Sequence, residues 1–167
     1  MDYKETIEYL YNQLPVYQKV GGSAYKEGLD NSLLLDDYFS HPHYKYKTIH
    51  VAGANGRGSV SHLLAAILQE AGYKVGLYTS PHLIDFKERI RINGEKISEE
   101  YVVDFVEKHK AFFEPIQPSF FELTIMMAVK YFADMGVDVA VIEVGLGGRL
   151  VSTQIITPDL RNINNIH

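Results

Sequence analysis

The 167-residue sequence contains no cysteine. A disulfide framework and a thiolate metal site are therefore both excluded. The first ten residues also lack the basic segment and the apolar run of a secretory signal, since Asp2, Lys4, Glu5 and Glu8 interleave with apolar side chains. These absences are compatible with a reducing compartment, and we expect a cytoplasmic location.

Long hydrophobic runs and surplus positive charge are missing as well. The longest nearly uncharged apolar stretch, Val137–Val144, is interrupted by Asp138 and Glu143 and is far too short to cross a bilayer. The formal net charge of -5 argues against general affinity for nucleic acid, because neutralising phosphates requires a basic surface. We therefore expect neither a membrane nor a nucleic acid as partner.

The composition that remains is that of a folded domain. Hydrophobic residues make up 46% of the chain and charged residues 22%, within the range of globular proteins. The length suits a single domain with one sizeable core. We expect residues 1–167 to form one domain.

The first 47 residues have helical periodicity. Apolar residues at Ile7, Leu10, Tyr11 and Leu14 predict a short amphipathic helix that Pro15 ends. The sequence Gly21–Ser23 predicts a loop, and the apolar cluster Leu33–Phe39 predicts a second helix. We expect these helices to form an amino-terminal cap over residues 1–47.

The pattern changes in residues 48–167, where short apolar strands alternate with amphipathic helices. The predicted elements are a strand ending at Ala52, a helix from Val60 to Ala71, a strand Val75–Tyr78, a hairpin Arg89–Ile97, a helix after Ser98, a helix capped by Ser119 and Glu122, and a strand Val137–Val144. Such alternation predicts an α/β fold whose mainly parallel sheet is flanked by helices.

A glycine-rich turn lies between the first strand and its helix. It comprises Gly53, Ala54, Asn55, Gly56, Arg57, Gly58 and Ser59. Glycines let the backbone approach an anion, the head of the helix adds positive potential, and Arg57 can neutralise a phosphate oxygen. The strict Walker A pattern is not met, since Val51 and Arg57 occupy its first glycine and lysine positions. A tight turn that uses glycines for geometry alone is the alternative.

Two further segments are expected at the same edge of the sheet. Ser80, Pro81 and His82 follow the second strand, at the carboxyl edge where open α/β sheets gather ligands. Glu143 interrupts an apolar strand near its carboxyl end, where a carboxylate is costly without compensation. Because Mg²⁺ prefers oxygen ligands, Ser80 and Glu143 are its candidate ligands. A plain turn and a solvent-facing Glu143 are the alternatives.

Three strings in this order resemble the folylpolyglutamate synthase/dihydrofolate synthase family, which belongs with the Mur ligases. They are IHVAGANGRGSVS from Ile49, YTSPHLIDFKERI from Tyr78, and VIEVGLGGR from Val141. The resemblance implies a P-loop-type mononucleotide-binding fold like the central domain of Mur ligases. It also implies an ADP-forming amide ligase that adds glutamate to folate or dihydropteroate through an acyl phosphate.

The resemblance assigns roles residue by residue. ATP would be held by Gly53, Asn55, Gly56, Arg57, Gly58 and Ser59, with Arg57 and Glu143 as the catalytic pair. Mg²⁺ would be held by Ser80 and Glu143, and the segment Ser80, Pro81 and His82 would help to enclose the folate substrate. The expected partners are therefore ATP, glutamate and folate or dihydropteroate.

Two positions depart from the family loop, which usually reads GTNGKGS. Ala54 stands where threonine is usual, and Arg57 stands where the family has a phosphate-contacting lysine. The planar guanidinium of arginine does not simply replace the compact ammonium of lysine between phosphates. We therefore expect ATP to bind weakly or not at all.

The resemblance also implies a larger protein, because complete members are more than twice this length. We expect a partial ATP-binding domain without the carboxyl-terminal glutamate-binding domain, inactive alone. The alternative is a catalytically inactive module that binds folate or associates with itself through an exposed sheet edge. A generic P-loop switch is disfavoured, because no second nucleotide-specificity motif is evident.

Overall fold

The computed structural model describes residues 1–13, 22–52, 57–144, 155–156 and 159–163. Its helices are α1 (Tyr3–Tyr11), α2 (Gly22–Tyr38), α3 (Arg57–Glu70), α4 (Glu99–Ile116) and α5 (Phe120–Asp134). Its strands are β1 (Lys47–Ala52), β2 (Val75–Tyr78), β3 (Ile90–Ile92), β4 (Glu95–Lys96), β5 (Val139–Val144) and β6 (Leu160–Ile163). Short 3-10 turns span Pro42–Lys45 and Phe86–Arg89.

The six strands form one mixed sheet in the order β4-β3-β2-β5-β1-β6. Strand β5 lies between β1 and β2 and pairs with both in parallel, and β6 is parallel to β1. The hairpin of β3 and β4 adds two antiparallel strands beside β2. The mainly parallel, helix-flanked sheet expected from the sequence is confirmed.

The two faces of the sheet pack against different helices. Alternate residues of β5 point to opposite faces, as in any strand. Val139 and Val141 face α3 in a small apolar cluster, whereas Ala140 and Ile142 belong to the main core with α5. By the same alternation Glu143 shares the α3 face, so the strand aims its carboxylate toward that helix.

The main core centres on α5, which is buried along nearly its whole length. Helices α1, α2 and α4 all contact α5, and the core includes Leu10 of α1 and Leu35 of α2. A helix that is apolar around most of its circumference belongs inside a protein, so these outer helices supply its cover. The predicted capping box at Ser119 and Glu122 is present and fixes the start of α5.

A close approach joins α5 to the sheet at Gly76. A Cβ built on this β2 glycine would meet the Phe132 ring at 2.7 Å. Phe132 is fully buried, and burying a phenylalanine side chain contributes about 1.5–3 kcal/mol. Glycine at 76 therefore sets the spacing between β2 and α5.

Several predicted boundaries are wrong. Helix α3 begins at Arg57 rather than Val60, and strand β5 begins at Val139 rather than Val137. Gly22 and Ser23, predicted to lie in a loop, are the first residues of α2. Glycine and serine are poor helix formers, but the first turn tolerates them because its amides have no intrahelical partners. Leu14, Pro15 and Gly21 lie outside the described residues.

The predicted hairpin is confirmed. The hairpin turns at Asn93 and Gly94, both with positive φ, and Gly72 after α3 also has positive φ.

None of the helices within the described ranges is both long and apolar enough to cross a lipid bilayer. The proposed division into a cap of residues 1–47 and a core of residues 48–167 stays a prediction.

Candidate functional site at the carboxyl edge of the sheet

The carboxyl ends of β1, β2 and β5 meet at one edge of the sheet. Because all three strands run in parallel, the segments that follow them share this edge. Helix α3 begins there at Arg57, a few residues after β1 ends at Ala52. The loop that begins at Thr79 leaves the same edge after β2.

The carboxylate of Glu143 lies between the head of α3 and the loop after β2. Only 3% of Glu143 is exposed. Its Oε1 accepts a hydrogen bond from the backbone amide of Ser80 at 3.4 Å. Its Oε2 is 3.8 Å from the position that a Cβ on Gly58 would occupy. The solvent-facing position considered for Glu143 is therefore wrong.

The first turn of α3 supplies the other side of this site. Gly58 has no side chain, so the helix backbone and the Glu143 carboxylate lie close together without obstruction. Helix heads carry partial positive charge and amides without intrahelical partners. Ser59 follows in the same turn and is exposed. A helix head of this kind can attract an anion.

Part of the predicted phosphate loop lies outside the described residues. This holds for Gly53, Ala54, Asn55 and Gly56, and for Arg57 only the backbone position at the start of α3 is described. The structure thus brings Gly58, Ser80 and Glu143 together. The binding roles assigned to all these residues stay predictions.

The segment after β2 adopts a defined conformation. The Ser80–Pro81 peptide bond is cis. His82 follows, and both of its ring nitrogens have partners within the chain: Arg89 Nε lies 2.6 Å from Nδ1, and the Tyr11 hydroxyl lies 2.7 Å from Nε2. The sequence did not predict this structural role, and contact between His82 and a substrate stays a prediction.

These contacts fix the protonation of His82. Arg89 can only donate, so Nδ1 accepts and the hydrogen of a neutral ring sits on Nε2, facing Tyr11. Burial, followed by the neighbouring guanidinium of Arg89, lowers the pKa of His82 below its usual 6.5. The imidazole is therefore neutral at physiological pH and ties α1 to the edge of the sheet.

Arg89 itself is held inside an aromatic cluster. Its guanidinium carbon lies 5.1 Å from the centre of the Phe120 ring, and Tyr11 stacks on the same ring. Phe86 meets that ring edge-on. A cation over an aromatic face is electrostatically favourable. The motif residues Phe86 and Arg89, to which the sequence assigned no role, both contact His82 and so support the loop.

Other polar features lie away from this edge. A depression of about 560 Å³ opens at the amino ends of the strands, beside Lys47, Asp138 and Asp159, and it includes none of the predicted site residues.

Within the described ranges, no group of three or more histidine, aspartate or glutamate side chains could hold a metal ion. Among the residues that the structure describes, a metal at the carboxyl edge would depend on Glu143 with ligands of other kinds.

Similar proteins are described as folylpolyglutamate synthases, alone or together with a second activity. A dihydrofolate synthase/folylpolyglutamate synthase of Bacillus subtilis is 41% identical over 148 residues, which are 84% of this chain and 34% of that protein. No protein-family model matches the sequence. Measured against the Bacillus protein, the chain spans about a third of the relative's length.

Solved structures agree with this likeness. The crystal structure of folylpolyglutamate synthase from Thermotoga maritima matches with a TM-score of 0.80 at 45% identity, over 93% of this chain and 36% of that one. A complex of folylpolyglutamate synthase with AMPPCP and folate matches with a TM-score of 0.84 at 35% identity, over 98% of this chain and 40% of the other.

Proposed function

This chain belongs to the folylpolyglutamate synthase/dihydrofolate synthase family, and on that premise we propose that it carries the nucleotide-binding part of an ATP-dependent folate ligase. The observation that supports this most is the position of Glu143 between Gly58 and the Ser80 amide. A solved relative binds AMPPCP, an ATP analogue, together with folate. The proposed ligands of the intact site are ATP, Mg²⁺ and a folate or dihydropteroate carboxylate.

The proposed reaction joins glutamate to that carboxylate in two steps. The substrate carboxylate attacks the γ-phosphorus of ATP, the bond to the ADP oxygen breaks, and an acyl phosphate forms. The amine of glutamate then attacks the acyl carbon, loses a proton and expels phosphate, which leaves an amide. Positioning and charge stabilisation do most of the work in such phosphoryl transfer.

The residues of this chain would act on the first step. Amides at the head of α3 would face the phosphates, and the missing side chain of Gly58 leaves room for them. Arg57 would add positive charge at the same place, although it is not the usual lysine. Glu143 would hold the metal side of the nucleotide.

The residues present fit a magnesium ion. Mg²⁺ commonly takes one or two carboxylates and completes its shell with waters and nucleotide phosphates, so a cluster of three acidic side chains is not needed. Glu143 offers one buried carboxylate, and Ser80 offers a hydroxyl on the adjoining loop. When bound, Mg²⁺ would neutralise charge on the phosphate oxygens.

Weak nucleotide binding is part of the proposal. Ala54 and Arg57 both depart from the family loop, and arginine presents a broader cation than lysine. Calorimetric titration with ATP and Mg²⁺ should show binding weaker than micromolar. The double variant Ala54→Thr/Arg57→Lys should bind at least about tenfold more tightly, which corresponds to about 1.4 kcal/mol. Micromolar affinity in the unchanged chain would contradict this part.

We further propose that the 167-residue chain does not complete the ligase cycle alone, since it matches about a third of the Bacillus protein. The measurement is ADP release in the presence of ATP, a reduced folate or dihydropteroate, and glutamate. Release that depends on both the pterin substrate and glutamate would overturn this statement.

Self-association is a second candidate function, favoured by the sheet edge. Strand β6 is the last strand on its side of the described sheet, and edge strands offer unpaired backbone groups. Leu63 and Ile67 of α3 are 63% and 56% exposed, one turn apart. Light scattering would show a defined dimer if this candidate is correct and a stable monomer if it is wrong.

A further inference from the structure

One carboxylate outside the predicted site organises the loop that carries Ser80. Glu88 accepts hydrogen bonds from three consecutive backbone amides, those of Leu83 at 3.0 Å, Ile84 at 3.2 Å and Asp85 at 2.9 Å. Leu83 and Ile84 are 92% and 91% exposed. Apolar packing therefore does not hold these two residues in place, and the bonds to Glu88 do.

The contacts of Glu88 exceed those of a helix cap. Asp85 and Glu88 form a capping box around the 3-10 turn Phe86–Arg89. In a capping box the Glu88 carboxylate accepts only the bond from the Asp85 amide, so the bonds from Leu83 and Ile84 are additional. Bonds from the Asp85 and Leu83 amides are the main causes that lower the pKa of Glu88, so its carboxylate is charged at neutral pH.

The loop is closed at its base, which connects Glu88 to the candidate site. The Thr79 amide donates to the Arg89 carbonyl at 3.0 Å. Ser80 follows Thr79 directly, and Glu88 directly precedes Arg89. Glu88 and Ser80 are therefore next to the same pair of bonded residues, at opposite ends of one short loop. A change in the conformation of residues 83–85 therefore has to pass only a few residues to move the Ser80 amide. Movement of that amide would change its hydrogen bond to Glu143.

We propose that Glu88 is a positioning residue that fixes the loop of residues 79–85 and thereby holds Ser80 against Glu143 at the metal side of the nucleotide site. The proposal rests on the proposed function for its consequence in binding. Its geometric part, the dependence of Ser80 on Glu88, concerns this chain with or without a ligand.

The first test is Glu88→Gln in the full chain. Glutamine has nearly the same shape, but one acceptor oxygen becomes an NH₂ group that repels the loop amides. We expect hydrogen exchange of the Leu83–Asp85 amides to accelerate by about tenfold or more, and the Ser80 amide resonance to move in a ¹⁵N correlation spectrum. Glu100→Gln, the same change at an exposed position of α4, is the matched control and should alter neither.

The second test separates positioning from general stability. In the Ala54→Thr/Arg57→Lys background, AMPPCP is titrated with Mg²⁺ and again with EDTA. Adding Glu88→Gln should weaken binding about tenfold with Mg²⁺ and leave binding in EDTA unchanged, because the loop touches the metal side only. A merely destabilised chain would lose both equally, and that result would overturn the proposal.

The two tests distinguish the possible failures. An unmoved Ser80 resonance and unchanged exchange in Glu88→Gln would overturn the positioning role, whatever the binding results. Absence of AMPPCP binding by the parent variant would contradict the proposed function and the consequence for metal binding. In that event the Ser80 and exchange measurements still decide whether Glu88 fixes the loop.

Discussion

Glu143 on β5 and Ser80 after β2 are joined by a hydrogen bond from the Ser80 amide to Oε1 at 3.4 Å, although 63 residues separate them in sequence. The parallel pairing of β2 with β5 makes this possible, since it places both carboxyl ends at one edge. The alternation of β5 then turns Glu143 toward α3 and Gly58. The order of the strands and the alternation of side chains along β5 therefore place Ser80, Glu143 and Gly58 close together.

Gly58→Ala should separate stability from binding. Alanine is at least as good a helix former as glycine in the first turn of α3, and its methyl group would make an ordinary contact 3.8 Å from Glu143 Oε2. In the Ala54→Thr/Arg57→Lys background we expect thermal stability to be equal or higher, and Mg²⁺-nucleotide affinity to fall by about tenfold because the methyl group occupies ligand space. Thermal denaturation and calorimetry measure the two effects, and unchanged affinity would contradict the placement of the ligand.

Gly76→Ala should lower the stability of the fold rather than the affinity for nucleotide. Its Cβ would lie 2.7 Å from the buried ring of Phe132, so β2 and α5 must move apart. Overpacking of this kind costs about 1–3 kcal/mol, and denaturant titration should show that loss. Gly58→Ala serves as the matched substitution without a clash. A loss below about 0.5 kcal/mol would mean that the core relaxes around Phe132 freely.

Acidification should destabilise the contact between α1 and the loop. The pKa of His82 is lowered in the folded chain by burial and by Arg89, so an unfolded chain binds the proton more readily. Stability is therefore full above the unfolded value of about 6.5 and falls as the pH drops below it toward the folded pKa. Burial lowers the pKa of His43 and His109 as well, and they contribute in the same direction.

His82→Asn isolates the contribution of His82 to the loss of stability at low pH. Asparagine offers an uncharged acceptor for Arg89 and does not titrate. The loss of melting temperature between pH 7.5 and pH 5.5 should be smaller in this variant than in the unchanged chain. His62→Asn, on an exposed position of α3, should keep the original profile. Identical profiles for all three proteins would rule out His82 as a source of acid sensitivity.

Local patterns carried most of the sequence-based prediction of the fold. The alternation of strands with helices, the capping box at Ser119 and the glycine turn after Asn93 each depend on neighbours within a few residues, so the sequence reveals them directly. The start of α2 at Gly22 was missed because weak helix formers at a first turn resemble a loop.

Long-range contacts account for what the sequence did not reveal at the site. Tyr11 and His82 are 71 residues apart, and no periodicity links them. Glu88 was noticed only as part of a motif. Its carboxylate accepts hydrogen bonds from three backbone amides, but in the sequence it cannot be told from any surface glutamate. Glu143 could be singled out because a charge inside an apolar strand is unusual whatever surrounds it.

The position of Glu143 has an alternative explanation that binding can test. A carboxylate near the head of a helix is itself favourable, so Glu143 could serve α3 without any metal. The two explanations differ in their dependence on Mg²⁺. A metal ligand matters only when Mg²⁺ accompanies the nucleotide, whereas a helix partner matters for stability in every condition.

The most direct measurement is therefore calorimetric titration of ATP into the Ala54→Thr/Arg57→Lys variant with and without Glu143→Gln, each in Mg²⁺ and in EDTA. The account predicts that Mg²⁺ strengthens binding in the parent variant by about tenfold or more, and that Glu143→Gln abolishes this gain while the chain stays folded. Equal strengthening by Mg²⁺ in both proteins would contradict a metal-nucleotide site between Glu143 and the head of α3.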